Sequence, residues 1–396
     1  MISRFALAAS VTTCLLTLSL SANAGTVTVE QHGGRSVRVF VPTKVASPTP
    51  MVVMLHGCTQ TPDAFADGTQ MDVLAEKEGF VVAYPEQPSS TIPTRCFQWF
   101  TPAHQARGAG EPKELADAAT GVASAHGVDV ERIYVAGISA GAAMSVILGA
   151  TYPDVFTAIG VFAGVEYKAG TTVAEGLSAS QNGGPDPEAQ GMLAFTAMGS
   201  RARALPTFVM HGTSDGVVSK TNGDQVALQW RRTNTLVLGE GSIDDVKSAT
   251  GTAGYPFTRM VHASKVSGAS IIEYYVVDGL GHAWPGGKEG GSYTDVRGPD
   301  GSTLVWGFFK GRTRSKPLDV APVVIPGSDG GIPATPDAGG TTTPGGTRDH
   351  AGAAASDGGD SGCTFAPSRA RPAIPLLALV SLLTLGLMRS RRGRLR

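Results

Sequence analysis

The sequence predicts an α/β fold in which a mostly parallel sheet carries helices on both faces. Short apolar runs alternate with helix-like stretches from about residue 25 to about residue 314, the pattern of strand and crossover-helix units. Several runs are apolar throughout, among them Met51-Val52-Val53-Met54-Leu55, as in central strands buried on both faces. About 290 residues are enough for one large domain, and no internal repeat divides them.

The elements follow in order. The first strands are expected at 26–29, 37–41 and 51–55. A helix at 70–78 leads into a strand at 80–84, and a helix at 114–125 into a strand at 133–136. The next helix, 140–152, opens on small residues. Strands follow at 158–162 and 207–210, then a helix at 224–233. Strands at 258–261 and 271–277 and a helix at 302–310 complete the set.

The two ends read differently from this body. Arg4, a mostly apolar stretch 5–20 and Ala22-Asn23-Ala24 form the pattern of a secretory signal over 1–24, with Gly25 as the first mature residue. Val11-Thr12-Thr13 before Cys14 makes a poor lipidation box, so Cys14 is read as part of that leader. From 315 to 362 the chain is rich in Gly, Pro, Ala, Thr, Ser and Asp, without an aromatic residue. Such a stretch cannot bury enough apolar surface to offset ordering, so it is expected to be a flexible linker. Beyond it come Cys363, an apolar run at 373–388 and an Arg cluster at Arg389, Arg391, Arg392, Arg394 and Arg396. The run is slightly short for a full membrane span, and the arginines would stay on the cytoplasmic side. This layout resembles the MYXO-CTERM sorting signal. The resemblance implies export, a membrane-engaging tail processed near Cys363 by a sorting protease, and retention at the cell surface.

The formal net charge is −1, which gives no basic surface for nucleic acid. With Cys14 in the leader and Cys363 in the tail, Cys58 and Cys96 remain in the body. An even pair in an oxidising compartment is expected to form a disulfide, worth about 4 kcal/mol on the chain-entropy model.

The chemistry concentrates at Gly137-Ile138-Ser139-Ala140-Gly141. An apolar run, Ile133-Tyr134-Val135-Ala136, precedes it and a helix-forming run, 142–150, follows. Strand, G-x-S-x-G and helix together make a nucleophile elbow, in which Ser139 projects from a tight turn. Gly212-Thr213-Ser214-Asp215-Gly216 matches the same pattern but runs into a loop, so Ser214 lacks that setting. A serine nucleophile needs a base, and the base needs a carboxylate to hold it. His211, His262, His282 and His350 follow Ser139. His350 is in the linker, His262 is within a strand-like run and His211 precedes the Asp215 loop. His282 follows the strand at 271–277 in a glycine-flanked loop, and is the expected base. Asp215 follows the strand at 207–210 and is the expected acid. Asp278 is an alternative only four residues from His282, and Asp244 and Asp245 lack a preceding buried strand. The oxyanion would take backbone N–H groups from Ala140 and from Cys58 or Thr59 in the loop after 51–55. No metal or organic cofactor is called for.

These residues resemble the secreted polyhydroxybutyrate depolymerase-like esterases, related to feruloyl and acetylxylan esterases. The matching segments are Leu55-His56-Gly57-Cys58-Thr59-Gln60, Tyr84-Pro85-Glu86-Gln87, Cys96-Phe97-Gln98-Trp99-Phe100, the Ser139 elbow, His211-Gly212-Thr213-Ser214-Asp215, Gly281-His282-Ala283-Trp284-Pro285-Gly286-Gly287 and Trp306-Gly307-Phe308-Phe309. They span about residues 30 to 312. Phe97-Gln98 departs from the Trp-Asn common in that family. The resemblance implies an α/β-hydrolase fold, a Ser139–Asp215–His282 triad and carboxylester hydrolysis through an acyl-enzyme. The substrate would be a polyester or an ester-decorated polysaccharide, with Trp284 and Trp99 (beside Phe100) as expected contacts. From another class, the body could be an inactive hydrolase scaffold used for surface binding; the complete Ser, Asp and His set argues against that.

Overall fold

The computed structural model describes residues 25–244 and 247–318. The expected leader 1–24, Asp245, the linker beyond residue 318, Cys363 and the Arg-tipped run lie outside the described residues.

Among the described residues one ten-stranded sheet organises the body. Its strands are β1 (Thr26–His32), β2 (Arg35–Val41), β3 (Met51–Leu55), β4 (Val81–Pro85), β5 (Ile133–Ile138), β6 (Ile159–Phe162), β7 (Thr207–Gly212), β8 (Lys247–Ala253), β9 (Tyr255–Ala263) and β10 (Ser270–Val277). They lie in the order β1-β2-β4-β3-β5-β6-β7-β10-β9-β8. The six from β4 to β10 in that order are parallel, and antiparallel strands flank them on both sides. Strands β3, β5, β6 and β7 are buried along their whole length, as their mostly apolar character requires. A short pair, β11 (Trp284–Pro285) and β12 (Thr294–Asp295), lies beside the main sheet.

Helices cover both faces, as the alternation predicts. On one face lie α3 (Gly110–Ala125), α4 (Ala140–Thr151), α6 (Pro187–Met198) and α7 (Lys220–Leu238), sharing a core with Val53, Val135 and Val209. On the other lie α1 (Pro62–Thr69), α2 (Met71–Glu78) and α8 (Gly301–Phe309), which pack Phe65, Met71 and Phe308 against Val52, Met54 and Phe208. Each such side chain, fully buried, stabilises the fold by about 1.5–3 kcal/mol. Helix α4 is buried on every side. Its small residues make that possible: a Cβ on Gly149 would lie 2.7 Å from Leu205 and 3.0 Å from Trp230.

Besides the short β11–β12 pair, four larger elements have no counterpart in the sequence-based expectation. They are α1, α5 (Val173–Asn182), α6 and β8. Among the described residues no helix is long and apolar enough to cross a membrane.

Candidate active site

Strand β5 ends at Ile138 and α4 begins at Ala140, leaving Ser139 in the turn between them. Its backbone sits at φ 56° and ψ −123°, a region that L-residues avoid and that stores strain. The turn is pressed against the end of β3. A Cβ on Gly141 would lie 2.1 Å from the Leu55 carbonyl oxygen, and one on Gly137 would lie 2.5 Å from the Gly141 carbonyl carbon. Only glycine fits either position. The Ser139 N–H donates to the Phe162 carbonyl at 2.9 Å, tying the turn to β6.

Strands β7 and β10 are adjacent and parallel, with Gly212 opposite Val277. The loops after them therefore leave the same sheet edge as the Ser139 turn. Two backbone bonds join these loops: Thr213 N–H to the Val277 carbonyl at 2.9 Å, and Ser214 N–H to the Leu280 carbonyl at 3.0 Å. They bring His282 Nδ1 to 2.7 Å from Asp215 Oδ2. The other Asp215 oxygen accepts the N–H groups of Val217 and Val218, each at 2.8 Å. Burial pushes the Asp215 carboxyl up, but the hydrogen bond and charge of His282, with the Val218 N–H, hold it below the usual carboxylate range. A carboxylate fixed this way makes Nδ1 the protonated nitrogen of His282 and leaves Nε2 to act on a proton. Hydrogen bonds among the described residues include this pair and none from the Ser139 hydroxyl. In free enzymes the nucleophile–base contact is often loose.

The other histidines are placed differently. His211 is buried on β7, and its Nε2 donates to the Val218 carbonyl at 2.9 Å while standing 3.6 Å from Asp215 Oδ2. Burial lowers its pKa, so it braces the acid turn as a neutral ring. His262 is in β9 and is pushed down to about 4 by burial. Asp278, the alternative acid, accepts the Thr213 hydroxyl at 2.9 Å.

Beside Ser139 runs the loop after β3. A Cβ on Gly57 would lie 3.4 Å from Ser139 Cβ. Cys58 is bonded to Cys96, which fastens this loop to the 96–100 segment. Thr59 is a correction: its N–H donates to the Thr94 carbonyl at 2.6 Å, so it is not free for an oxyanion. The Cys58 and Ala140 N–H groups have no protein partner among the described residues.

Both tryptophans expected to touch substrate are also corrected. Trp284 is fully buried, stacked 3.7 Å from Phe162, with its indole N–H donating to the Ser302 hydroxyl at 3.0 Å. It lies only two residues after His282, but its ring is turned inward. Trp99 is 9 % exposed and packs on Gly176 of α5. Phe97 is buried against His56, and the Gln98 N–H donates to Glu111 at 2.8 Å. That segment is held from behind by a charged network rather than laid open along a cleft. Among the described residues no group of three or more His, Cys, Asp or Glu side chains is arranged to hold a metal ion.

Sequence reasoning missed two buried polar residues behind the loop, Gln60 and Gln87. Gln60 Oε1 accepts the Gly57 N–H at 2.8 Å, and Gln87 donates its own N–H to His56 Nε2 at 3.2 Å. Their one signal is that both close family-like segments, at Thr59-Gln60 and Glu86-Gln87.

Comparison with known proteins bears on the family and the fold. The chain is 33% identical over 247 residues to poly(3-hydroxyalkanoate) depolymerase C of Paucimonas lemoignei, covering 62% of this chain and 57% of that protein. It thus spans little more than half of that relative's length. It is 28% identical over 256 residues to acetylxylan esterase A of Emericella nidulans, covering 62% and 79%. It is 27% identical over 254 residues to feruloyl esterase B of Neurospora crassa, covering 62% and 82%. The solved acetyl xylan esterase from Aspergillus awamori superposes with a TM-score of 0.53 at 23% identity, covering 65% of this chain and 94% of that one. This likeness and the parallel sheet with its loops at one edge identify an α/β-hydrolase fold. The family model described as esterase PHB depolymerase matches residues 36–249, and the chain belongs to that family.

Proposed function

We propose that the protein is a serine carboxylester hydrolase using Ser139, His282 and Asp215. The observation that carries this reading is the 2.7 Å Asp215–His282 pair at the same sheet edge as the strained Ser139 turn. His282 Nε2 takes the hydroxyl proton as Ser139 Oγ bonds to the ester carbonyl carbon. The oxygen becomes negative and is held by the N–H groups of Ala140 and Cys58. Collapse expels the alcohol, which receives the proton from His282. Water, deprotonated by the same imidazole, then splits the acyl-enzyme and frees Ser139. Asp215 stays ionised and stabilises the imidazolium.

For substrate, the reading is an ester-bearing polymer. A polyester comes first, supported by the relative named as a poly(3-hydroxyalkanoate) depolymerase. Acetyl or feruloyl esters on plant polysaccharide are the second reading, supported by the esterases of those names. Acid release from polyhydroxyalkanoate granules compared with acetylated and feruloylated xylan tests the choice. Release from xylan alone would overturn the first reading. Export and surface retention belong to the same proposal, supported by the leader-like 1–24 stretch, the Cys363 tail pattern and the oxidised Cys58–Cys96 pair. Intact mass of the surface-held protein tests it: a form starting at Gly25 and lacking Arg396 is expected, and one keeping both ends contradicts it.

A further inference from the structure

One large ring stands exposed beside the base. Tyr293, in the loop that leads into β12, is 46 % exposed. Its ring lies at 82° to the His282 imidazole, with the two centroids 6.1 Å apart. The His282 side chain is itself only 7 % exposed, so at this point of the surface the tyrosine ring meets whatever approaches. Its hydroxyl has no hydrogen-bond partner among the described residues.

The backbone is held in place for this. Tyr293 sits at φ 51°, in the left-handed region that a residue other than glycine enters only when its surroundings keep it there. Its neighbours do so from both sides. The Tyr293 carbonyl accepts the Trp284 N–H at 2.8 Å, and the Ser292 carbonyl accepts the Gln60 side-chain amide at 2.8 Å. Trp284 and Gln60 are both buried. Gln60 also accepts the Gly57 N–H at 2.8 Å, so one side chain ties the loop beside Ser139 to the loop bearing Tyr293. Thr294, the next residue, pairs with Trp284 in the β11–β12 ladder. A side chain with few rotatable bonds on a backbone fixed this firmly gives up little entropy on binding. Its apolar faces suit a hydrocarbon chain, and its hydroxyl can donate to an ester oxygen.

The chemistry decides which half of the ester it meets. The acyl half becomes bonded to Ser139, with its carbonyl oxygen at the N–H groups of Ala140 and Cys58. The imidazole hands its proton to the departing alcohol, so a ring set against the imidazole borders the alcohol half. We propose that Tyr293 is a substrate-binding platform for the alcohol-side segment of the ester chain, the part that leaves as the acyl-enzyme forms. The inference rests on the ester-hydrolase reading above.

Esters that differ in one half at a time test it. Tyr293→Gly removes the ring from a backbone conformation that glycine adopts freely, and Tyr293→Phe keeps the ring without the hydroxyl. For Tyr293→Gly, kcat/KM should fall about 5- to 20-fold on hexyl butyrate and stay within about twofold of wild type on methyl butyrate, the scale of one aromatic contact. Tyr293→Phe should keep hexyl butyrate within about threefold of wild type. Methyl octanoate, which lengthens the acyl half instead, should lose no more than methyl butyrate does. Equal losses on methyl and hexyl butyrate would make the ring a brace for His282, and a loss that follows the acyl chain would place it on the other half. Either result, or no loss on any ester, overturns the inference while ester hydrolysis stands. A wild-type protein that hydrolyses none of these esters overturns both.

Discussion

Gly137-Ile138-Ser139-Ala140-Gly141 and Gly212-Thr213-Ser214-Asp215-Gly216 share one five-residue pattern. Both leave parallel strands at the same sheet edge, with β6 between them. In the first, a helix starts on the residue after the serine; in the second, α7 starts only at Lys220. In the first, the closing glycine is clamped against Leu55; at Gly216 an added Cβ would meet nothing within 4 Å. The strained backbone belongs to Ser139, while the second turn spends its geometry on Asp215. The pattern of letters is therefore shared, and the function of each copy comes from what the backbone does next.

Exchanging the serines is the severest way to break this contrast. Ser139→Ala should lower kcat on a nitrophenyl ester by about 10⁴-fold or more, by analogy with other serine triads. Ser214→Ala should leave kcat within about twofold, since its hydroxyl is exposed and has no hydrogen-bond partner among the described residues, and the backbone N–H that ties its loop is kept. The carboxylates give the next largest effect. Asp215→Asn should cost about 10³-fold or more in kcat through the wrong His282 tautomer. A comparable loss in Asp278→Asn, read in the same assay, would move the acid to Asp278.

The closing glycines then separate the turns by stability. Gly141→Ala forces a Cβ to 2.1 Å from a backbone oxygen and should cost about 1–3 kcal/mol, as overpacking does. Gly216→Ala should stay within about 0.5 kcal/mol. Urea unfolding of the two variants reads the difference. Of smallest effect is Glu166, which follows β6 between the two turns. It is buried, and neither of its carboxyl oxygens has a hydrogen-bond partner among the described residues. Burial, and then the charge of Asp186, push its pKa up to about 8 from 4.5. The unfolded chain gives up this proton first, so the group's contribution is whole below about 4.5 and is lost as pH rises through about 8. Glu166→Gln should therefore melt about 3 °C higher than wild type at pH 9 and about equally at pH 4. An equal gain at both values would assign the effect to packing.

The same contrast shows what was legible in the sequence. Central strands such as β3 and β6 announce themselves because burial on both faces leaves no polar residue in them. The elbow, its acid and its base followed from those strands, because each residue sits just past a strand end. Helix α6 carries no clear apolar stripe, and α5 is short, with Gly, two Ser, Gln and Asn among its ten residues. Their caps were the readable signal: Thr172 accepts the Glu175 N–H at 3.2 Å, and Asp186 precedes Pro187 and accepts the Glu188 N–H at 3.1 Å. Strand β8, with its small polar residues, exists through pairing with β9. Trp284 and Thr59 were misread for one reason. Sequence proximity to the site does not say which way a ring or an N–H points, and here neighbours remote in sequence, Phe162 and Thr94, decide it.

The most direct test of the account is covalent labelling with a fluorophosphonate, mapped by peptide mass spectrometry. A single adduct on Ser139, abolished by Asp215→Asn and His282→Ala and absent from Ser214, is the predicted result. An unlabelled Ser139, or an adduct on Ser214, would contradict it.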